Sequence, residues 1–244
     1  MTGTDPISAT VRLRVARVGK VGGPEERVVA EEPFEIRVQS GDEAAQQLAV
    51  TMRTPGDDIE LAAGFLWSEG LLRERDDLIS ITTCKDKSLS LREQENTLVA
   101  HLRPGTPALE QRFERRFTVS SACGVCGSTQ IEDLRSRGCL DVATVALPDE
   151  QLAALPEALR AKQRLFDRTG GLHAAGLVDP TGELVVVRED VGRHNAVDKV
   201  VGHALMHGWL PLSGWAVVIS GRCGYEIVQK AVAAGIGAVV SVSA

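Results

Sequence analysis

Short segments in which apolar and polar residues alternate make up most of the first hundred residues, and Gly, Pro and acidic clusters separate them. Alternation with a period of two is typical of half-buried β-strands. The segment DDIELAAGFLWSEGLL differs, because its apolar residues recur at helical spacing, with Asp57 or Asp58 as a candidate cap and Gly70 as an interruption. The pattern predicts a β-rich N-terminal part over residues 1–103 that contains one helix.

From residue 142 onward, amphipathic helical stretches alternate with apolar, strand-like runs. The helical stretches include PDEQLAALPEALRAKQRLF and NAVDKVVGHALMHG, and the strand-like runs include ELVVVRED, GWAVVIS and AVVSVS. This alternation predicts a ligand-binding α/β part over residues 142–244 with buried, largely parallel strands. Residues 104–141 are charged, begin with Pro and Gly, and contain a pair of cysteines. We treat them as a CxxC loop segment with a boundary near Pro104.

Composition narrows the class of protein. The chain has 244 residues, of which 43% are hydrophobic and 25% charged, as is usual for globular proteins. Its formal net charge of −6 argues against general binding to nucleic acid or an anionic membrane. No signal-like stretch is visible near the start, and the uncharged run 231–244 is shorter than the ~18 residues of a membrane span. Five cysteines without an export signal fit a reducing compartment, so we expect a cytoplasmic protein.

The segment SSACGVCGS carries the sharpest local signal, a pair of cysteines at Cys123 and Cys126. A tetrahedral zinc site would need two further ligands at close spacing, and the sequence has no second CxxC, so we expect no resident metal. A thiolate at the start of a helix is a nucleophile at neutral pH. It can exchange disulfides or accept a sulfane sulfur as a persulfide, and the local sequence leaves both uses open.

Two predicted strand-to-helix turns concentrate positive charge. In VVVREDVGRHNAVDKVVG the residues Arg193 and His194 lie at a helix start, and in VVISGRCGYEIVQK the pair Gly221 and Arg222 precedes the next helix. Free backbone N–H groups and the helix dipole attract anions there, so these turns predict a site for a phosphate-bearing ligand at the carboxyl ends of the strands. His173, in TGGLHAAGLVD, is a further candidate. Surface ion pairs for the arginines and structural roles for the histidines are the alternatives.

Taken together, five segments resemble the FdhD family of sulfur carrier proteins, which formate dehydrogenase needs for activity. The matching segments, in the family's order, are MRTPGDDIELAAGFLWSEGLL, SSACGVCGS, TGGLHAAGL, EDVGRHNAVDKVVG and SGRCGYEIVQKAVAAGI. The resemblance extends over most of residues 28–244. Their joint occurrence in order is far more specific than a lone CxxC.

The resemblance implies a fold, a reaction and its partners. The expected fold is α/β (α+β), a cytidine-deaminase-like mixed core with helices plus the β-rich N-terminal part. The expected activity is that of a sulfurtransferase, which takes persulfide sulfur from a cysteine desulfurase and passes it to the molybdenum bis(guanine dinucleotide) cofactor of formate dehydrogenase. The family's catalytic pair maps onto Cys123 and Cys126. The resemblance also implies a homodimer that binds guanine nucleotide as an analogue of the cofactor.

The predicted turns agree with this cofactor, since it carries phosphates, and we expect Arg193, His194, Gly221, Arg222 and His173 to contact it. A cofactor-binding chaperone without catalysis and a CxxC thiol-disulfide oxidoreductase remain the alternatives.

The sequence departs from the family at two places. Where the family has a small residue, Ser and an aromatic after SGR, this chain has Cys223 and Gly224 before Tyr225, which puts a third thiol beside the ligand turn. The family also continues past SVSA with a further helix and strand. We therefore expect an uncovered apolar edge over the last strand near Ala244, which would favour dimerisation or lower stability.

Overall fold

The computed structural model describes residues 8–16, 18, 23–106 and 142–243, so the predicted pair Cys123 and Cys126 lies outside the described residues. A 3-10 turn spans Arg75–Asp77. The remaining elements are, in chain order, β1 (Thr10–Arg14), β2 (Glu25–Val29), β3 (Glu32–Ser40), β4 (Gln46–Arg53), α1 (Asp58–Ser68), β5 (Leu78–Thr83), α2 (Leu91–Glu95), β6 (Thr97–Leu102), α3 (Asp149–Lys162), α4 (Arg164–Thr169), β7 (His173–Val178), β8 (Leu184–Asp190), α5 (Arg193–Met206), β9 (Ala216–Arg222), α6 (Tyr225–Ala233) and β10 (Ala238–Ser243).

The N-terminal part forms a four-stranded sheet in the order β4-β3-β6-β5, and β1 pairs with β2 in a separate ribbon. Strand β3 alternates as predicted, with Phe34, Ile36 and Val38 buried in a core shared with α1. The predicted helix is present as α1. The short helix α2 was not predicted, although Ser90 and Glu93 form a capping box that the sequence carries as S-x-x-E.

The C-terminal sheet has the order β10-β9-β7-β8, and here the prediction of largely parallel strands is wrong. Only β9 and β10 are parallel, whereas β7 is antiparallel to both β8 and β9. The physical reason is the short connection between β7 and β8, where the amide of Asp179 donates to the carbonyl of Glu183. A connection of that length joins antiparallel strands only. The carboxyl ends of β8, β9 and β10 therefore lie at one edge, together with the start of β7.

Helices cover both faces of the C-terminal sheet. Residues of α5 and α6 pack on one face, and Leu155 and Leu159 of α3 pack on the other. Helix α5 also packs against α1, and its Leu205 belongs to the core of the N-terminal sheet. The result is the mixed α/β fold expected from the sequence, with α5 held between the second sheet and α1. The proposed subdomain boundary near residue 104 stays a prediction.

No helix in the described ranges is long and apolar enough to cross a bilayer.

Candidate functional site

The five residues predicted to bind a ligand converge at the carboxyl edge of the C-terminal sheet. His173 begins β7, Gly221 and Arg222 end β9, and Arg193 and His194 open α5. A Cβ atom added to Gly221 would lie 3.0 Å from Nδ1 of His173 and 3.7 Å from Cβ of Arg193. The structure thus brings together residues of β7, α5 and β9, which are up to three elements apart in the chain. Their contacts with a ligand remain a prediction.

Charge at this edge is carried by the arginines rather than by the histidines. Burial, followed by the charge of Arg193, lowers the pKa of His173. Burial lowers the pKa of His194 to about 4, and the nearby Arg193 and Lys230 add to the effect. Both imidazoles are therefore neutral near pH 7. Nε2 of His194 lies 2.9 Å from Oε2 of Glu226, so the neutral ring lies against a carboxylate.

Two helices begin at this edge without a side-chain cap. Helix α5 follows Gly192 and helix α6 follows Gly224, and a glycine has no side chain that could accept a hydrogen bond from the first-turn amides. The amides of a helix start are partly positive, and they are commonly satisfied by caps, water or anionic ligands.

The guanidinium of Arg193 adds an unsatisfied donor. Its Nε is buried and has no hydrogen-bond partner among the described residues. A buried donor without a partner costs about 1–3 kcal/mol, so such groups are usually completed by a ligand, an ion or water. Nε of Arg193 therefore holds an unused N–H donor at the carboxyl edge of the described structure.

A buried ion pair that sequence reasoning missed holds the edge in place. Nζ of Lys199 lies 2.8 Å from Oδ2 of Asp190, and both side chains are almost fully excluded from solvent. The same Nζ donates to the carbonyl of Thr54, whose amide donates to Oδ2 of Asp190. Oδ1 of Asp190 accepts from the amide of Gly192 and from Nδ2 of Asn195. This network ties the loop after β4 to the turn that presents Arg193.

A second buried pair, also missed, anchors α6. Nζ of Lys230 donates to both carboxylate oxygens of Asp198 at 2.8 Å, and Oγ of Ser68 donates to the same carboxylate. Burial alone lowers the pKa of Lys230, but Asp198 more than offsets this and holds it above its ordinary value. The pair therefore joins α1, α5 and α6 as a charged unit. Helical spacing marks Lys199 and Lys230 only as polar positions, so no sequence signal identified them.

Helix α1 begins at the predicted aspartates, but its start is stabilised differently from the prediction. Asp57 is the N-cap residue, with φ of 55°, and its side chain makes no capping hydrogen bond. Asp58 instead accepts hydrogen bonds from Nε and Nη2 of the buried Arg53.

The described cysteines are free thiols in different surroundings. Cys223 is exposed in the turn between β9 and α6, beside Arg222, whereas Cys84 is buried. The predicted third thiol is thus at the ligand edge. Within the described residues, no group of three or more His, Cys, Asp or Glu side chains is arranged to hold a metal ion.

A family model and two curated proteins to which this chain is similar all belong to the same family. The model of the FdhD/NarQ family matches residues 29–244. The sulfur carrier protein FdhD of Streptomyces avermitilis is 47% identical over 240 residues, covering 96% of this chain and 83% of that protein. The protein of the same name from Mycolicibacterium paratuberculosis is 45% identical over 248 residues, covering 98% of this chain and 87% of that protein.

A crystal structure supports the fold alone. It is that of a protein from Desulfotalea psychrophila assigned as a formate dehydrogenase accessory protein, with a TM-score of 0.68 and 24% identity over 97% of this chain and 84% of that chain. From the family match over residues 29–244 and the identity to these relatives, we conclude that the chain belongs to the FdhD/NarQ family.

Proposed function

We propose that this protein is a sulfur carrier that supports the activity of a formate dehydrogenase. The observation that carries the proposal is the 47% identity, over 96% of the chain, to a relative named sulfur carrier protein FdhD. The pair Cys123 and Cys126 supplies the thiols that such a role needs. Sulfur transfer is the coarse function, and the steps below are its finer form.

The carrier step is a thiolate attack on a persulfide. The thiolate of Cys123 or Cys126 attacks the terminal sulfur of a cysteine desulfurase persulfide, the S–S bond breaks, and the desulfurase leaves as a thiolate. A persulfide then stands on this chain, with no net oxidation. When the other cysteine of the pair attacks the inner sulfur, the terminal sulfur leaves as hydrosulfide and a Cys123–Cys126 disulfide forms. A thiol reductant of the cell reopens that disulfide.

The acceptor in this proposal is the molybdenum bis(guanine dinucleotide) cofactor, which is cargo rather than a resident group. Its phosphates fit the carboxyl edge of the C-terminal sheet, because Arg193 and Arg222 supply permanent positive charge and Nε of Arg193 is an unpartnered buried donor in the described structure. His194 and His173 add neutral polar groups, and Gly221 leaves room for them. We further propose that the protein works as a homodimer in the cytoplasm.

The first test is sulfur loading of the reduced protein. It is incubated anaerobically with a cysteine desulfurase and L-cysteine, and sulfur additions are mapped by mass spectrometry. We expect addition on the peptide that contains Cys123 and Cys126, and none on that peptide in Cys123→Ala/Cys126→Ala. Cys84→Ala is the matched control and should load normally. A folded wild-type protein that takes up no sulfur would contradict the carrier role.

A cofactor-binding chaperone is the second candidate, and the arrangement of the carboxyl edge favours it equally. It would bind the cofactor at Arg193 and Arg222 but would not need the cysteines. Support of formate dehydrogenase activity in cells by Cys123→Ala/Cys126→Ala, at the wild-type level, would select this candidate over the sulfur carrier. A thiol-disulfide oxidoreductase would instead reduce a disulfide substrate without any dependence on molybdenum.

A further inference from the structure

A cavity lies between α3, α4 and the edge strand β8. None of the five residues predicted at the carboxyl edge lines it. The cavity has a volume of about 570 Å³. That volume falls in the range of roughly 300–1,000 Å³ that small-molecule sites occupy. It is lined by Lys162, Arg164, Leu165, Arg168, Val187 and Glu189. Three of these six residues carry permanent positive charge, on a chain whose net charge is −6.

The single acidic side chain among the described residues of the lining is held by backbone amides, and the lining keeps an excess of positive charge. Glu189 uses Oε2 to accept from the amide of Leu165 and Oε1 to accept from the amide of Phe166, each at 2.8 Å. Its carboxylate is thus committed to the backbone at the start of α4. No salt bridge within 4.0 Å joins Glu189 to a basic side chain among the residues that the structure describes.

The basic side chains of the lining also lack partners elsewhere. In the described ranges, Arg164 and Arg168 take part in no ion pair, and Lys162 spends one donor on the carbonyl of Leu184. The adjacent Arg160 is different, since its Nη1 lies 2.6 Å from Oδ1 of Asp167. The guanidinium groups of Arg164 and Arg168 are therefore available to an anion that enters this cavity.

The arrangement suits a phosphate group better than a carboxylate. Arg164 and Arg168 are four residues apart on α4 and therefore project from the same side of the helix. Two guanidinium forks and an ammonium group offer more donors than the two oxygens of one carboxylate can accept, whereas a diphosphate has more acceptor oxygens. Leu165 and Val187 supply an apolar wall for an uncharged part of the ligand.

We propose that this cavity binds a small molecule that carries a diphosphate or triphosphate, of the size of a nucleotide. The site is separate from the carboxyl edge, because Val187 and Glu189 alternate along β8 with Arg188 and Asp190, and successive side chains of a strand point to opposite faces. It uses none of Arg193, His194 or Arg222. The proposal does not depend on the sulfur carrier role.

Inorganic pyrophosphate is the probe, because it is too short to span both sites. Its binding is measured by isothermal titration calorimetry on the full chain carrying Arg193→Ala/Arg222→Ala, so that the carboxyl edge contributes little. In this background, Arg164→Gln/Arg168→Gln should weaken binding by about tenfold or more, since each lost charged hydrogen bond is individually worth that much. Both arginines are exposed, so the fold should be unchanged by circular dichroism.

The matched control is Arg73→Gln/Arg75→Gln, which removes the same charge from two exposed arginines outside the cavity. It should leave the pyrophosphate affinity within about twofold, as expected for charges that act only at long range through screening salt. Equal losses in the two double variants would show a mere net-charge effect and overturn the proposal. An unchanged affinity in Arg164→Gln/Arg168→Gln, or no pyrophosphate binding in the background variant, would overturn it as well.

Discussion

Arg193 and Arg222 hold their charge at all physiological pH values, while burial keeps the neighbouring His173 and His194 neutral near pH 7. The edge thus combines two cations with two neutral rings in a space that Gly221 leaves open. Neutral rings beside arginines avoid the repulsion that four adjacent cations would suffer. At the scale of single residues, this edge therefore carries two positive charges rather than four.

Because Arg193 and Arg222 carry the positive charge of this edge, their removal should weaken nucleotide binding. We expect Arg193→Ala and Arg222→Ala each to weaken the affinity for guanosine diphosphate by about tenfold, since each removes a charged hydrogen bond to phosphate. Calorimetric titration of the purified variants measures the change. Arg103→Ala, at an exposed arginine directly after β6, serves as the control. Unchanged affinity in both site variants would refute the assignment of these contacts.

The lowered pKa of His194 predicts how the free energy of unfolding changes at acid pH. Its pKa of about 4 in the folded protein lies below its ordinary value of 6.5, so the unfolded chain binds more protons between these values. The free energy of unfolding must therefore fall as the pH drops from about 6.5 toward 4. We expect His194→Gln to lose less stability across that window than the wild type does, as measured by urea unfolding at several pH values.

The control for this measurement is His207→Gln, which alters an exposed histidine at the end of α5. Between pH 6.5 and 4, the free energy of unfolding of this variant should change with pH as it does in the wild type. Parallel pH profiles for His194→Gln and the wild type would show that His194 does not contribute through its burial.

At the scale of elements, the crossing of α1 and α5 is the closest helix contact described. A Cβ on Gly64 would lie 1.8 Å from the carbonyl oxygen of Asp198, and one on Gly202 would lie 1.8 Å from that of Glu60. Only glycine at both positions lets the two backbones approach so closely. The crossing matters for the site, because α5 begins with Arg193 and carries Lys199 of the supporting ion pair.

Gly202→Ala should therefore be strongly destabilising. The added methyl group forces α1 and α5 apart, and overpacking of this kind costs about 1–3 kcal/mol or more. Urea unfolding gives the change in the free energy of unfolding. At Gly171 an added Cβ would meet Val29 at an ordinary 3.6 Å, so Gly171→Ala should have a small effect. If the two alanine variants were equally stable, the close crossing would not be present in solution.

Most predicted helices and strands of the C-terminal part are present, whereas the predicted strand direction is wrong. Periodicity predicted the positions of helices α1, α3, α5 and α6 and of strands β8, β9 and β10. Each of these segments buries one face, and the buried positions recur along the sequence with the period of that element. Strand direction was predicted wrongly, since an apolar run records burial but not the identity of its partner. The short loop from Asp179 to Glu183 decided it by closing a hairpin between β7 and β8.

At the scale of the whole molecule, the two four-stranded sheets are joined through the α1–α5 pair, and polar contacts cross the same junction. The amide of Thr54 donates to Asp190, and Nε1 of Trp67 donates to the carbonyl of Ala233. A ligand bound at the carboxyl edge therefore rests on elements of both parts of the chain. The N-terminal part positions the site even though none of the five predicted contacts belongs to it.

The sequence by itself determined the positions of most helices and strands and the motifs that mark the family. Local periodicity predicts the elements, and motifs in a fixed order mark the family. Both are properties of residues that are close together in the sequence. Only the tertiary structure decided that β7 runs against β8 and β9, that His173 lies beside Gly221, and that Lys199 and Lys230 are buried with carboxylates. Such contacts join residues as far apart as Thr54 and Asp190, and the energy that selects them arises only when those residues are packed together.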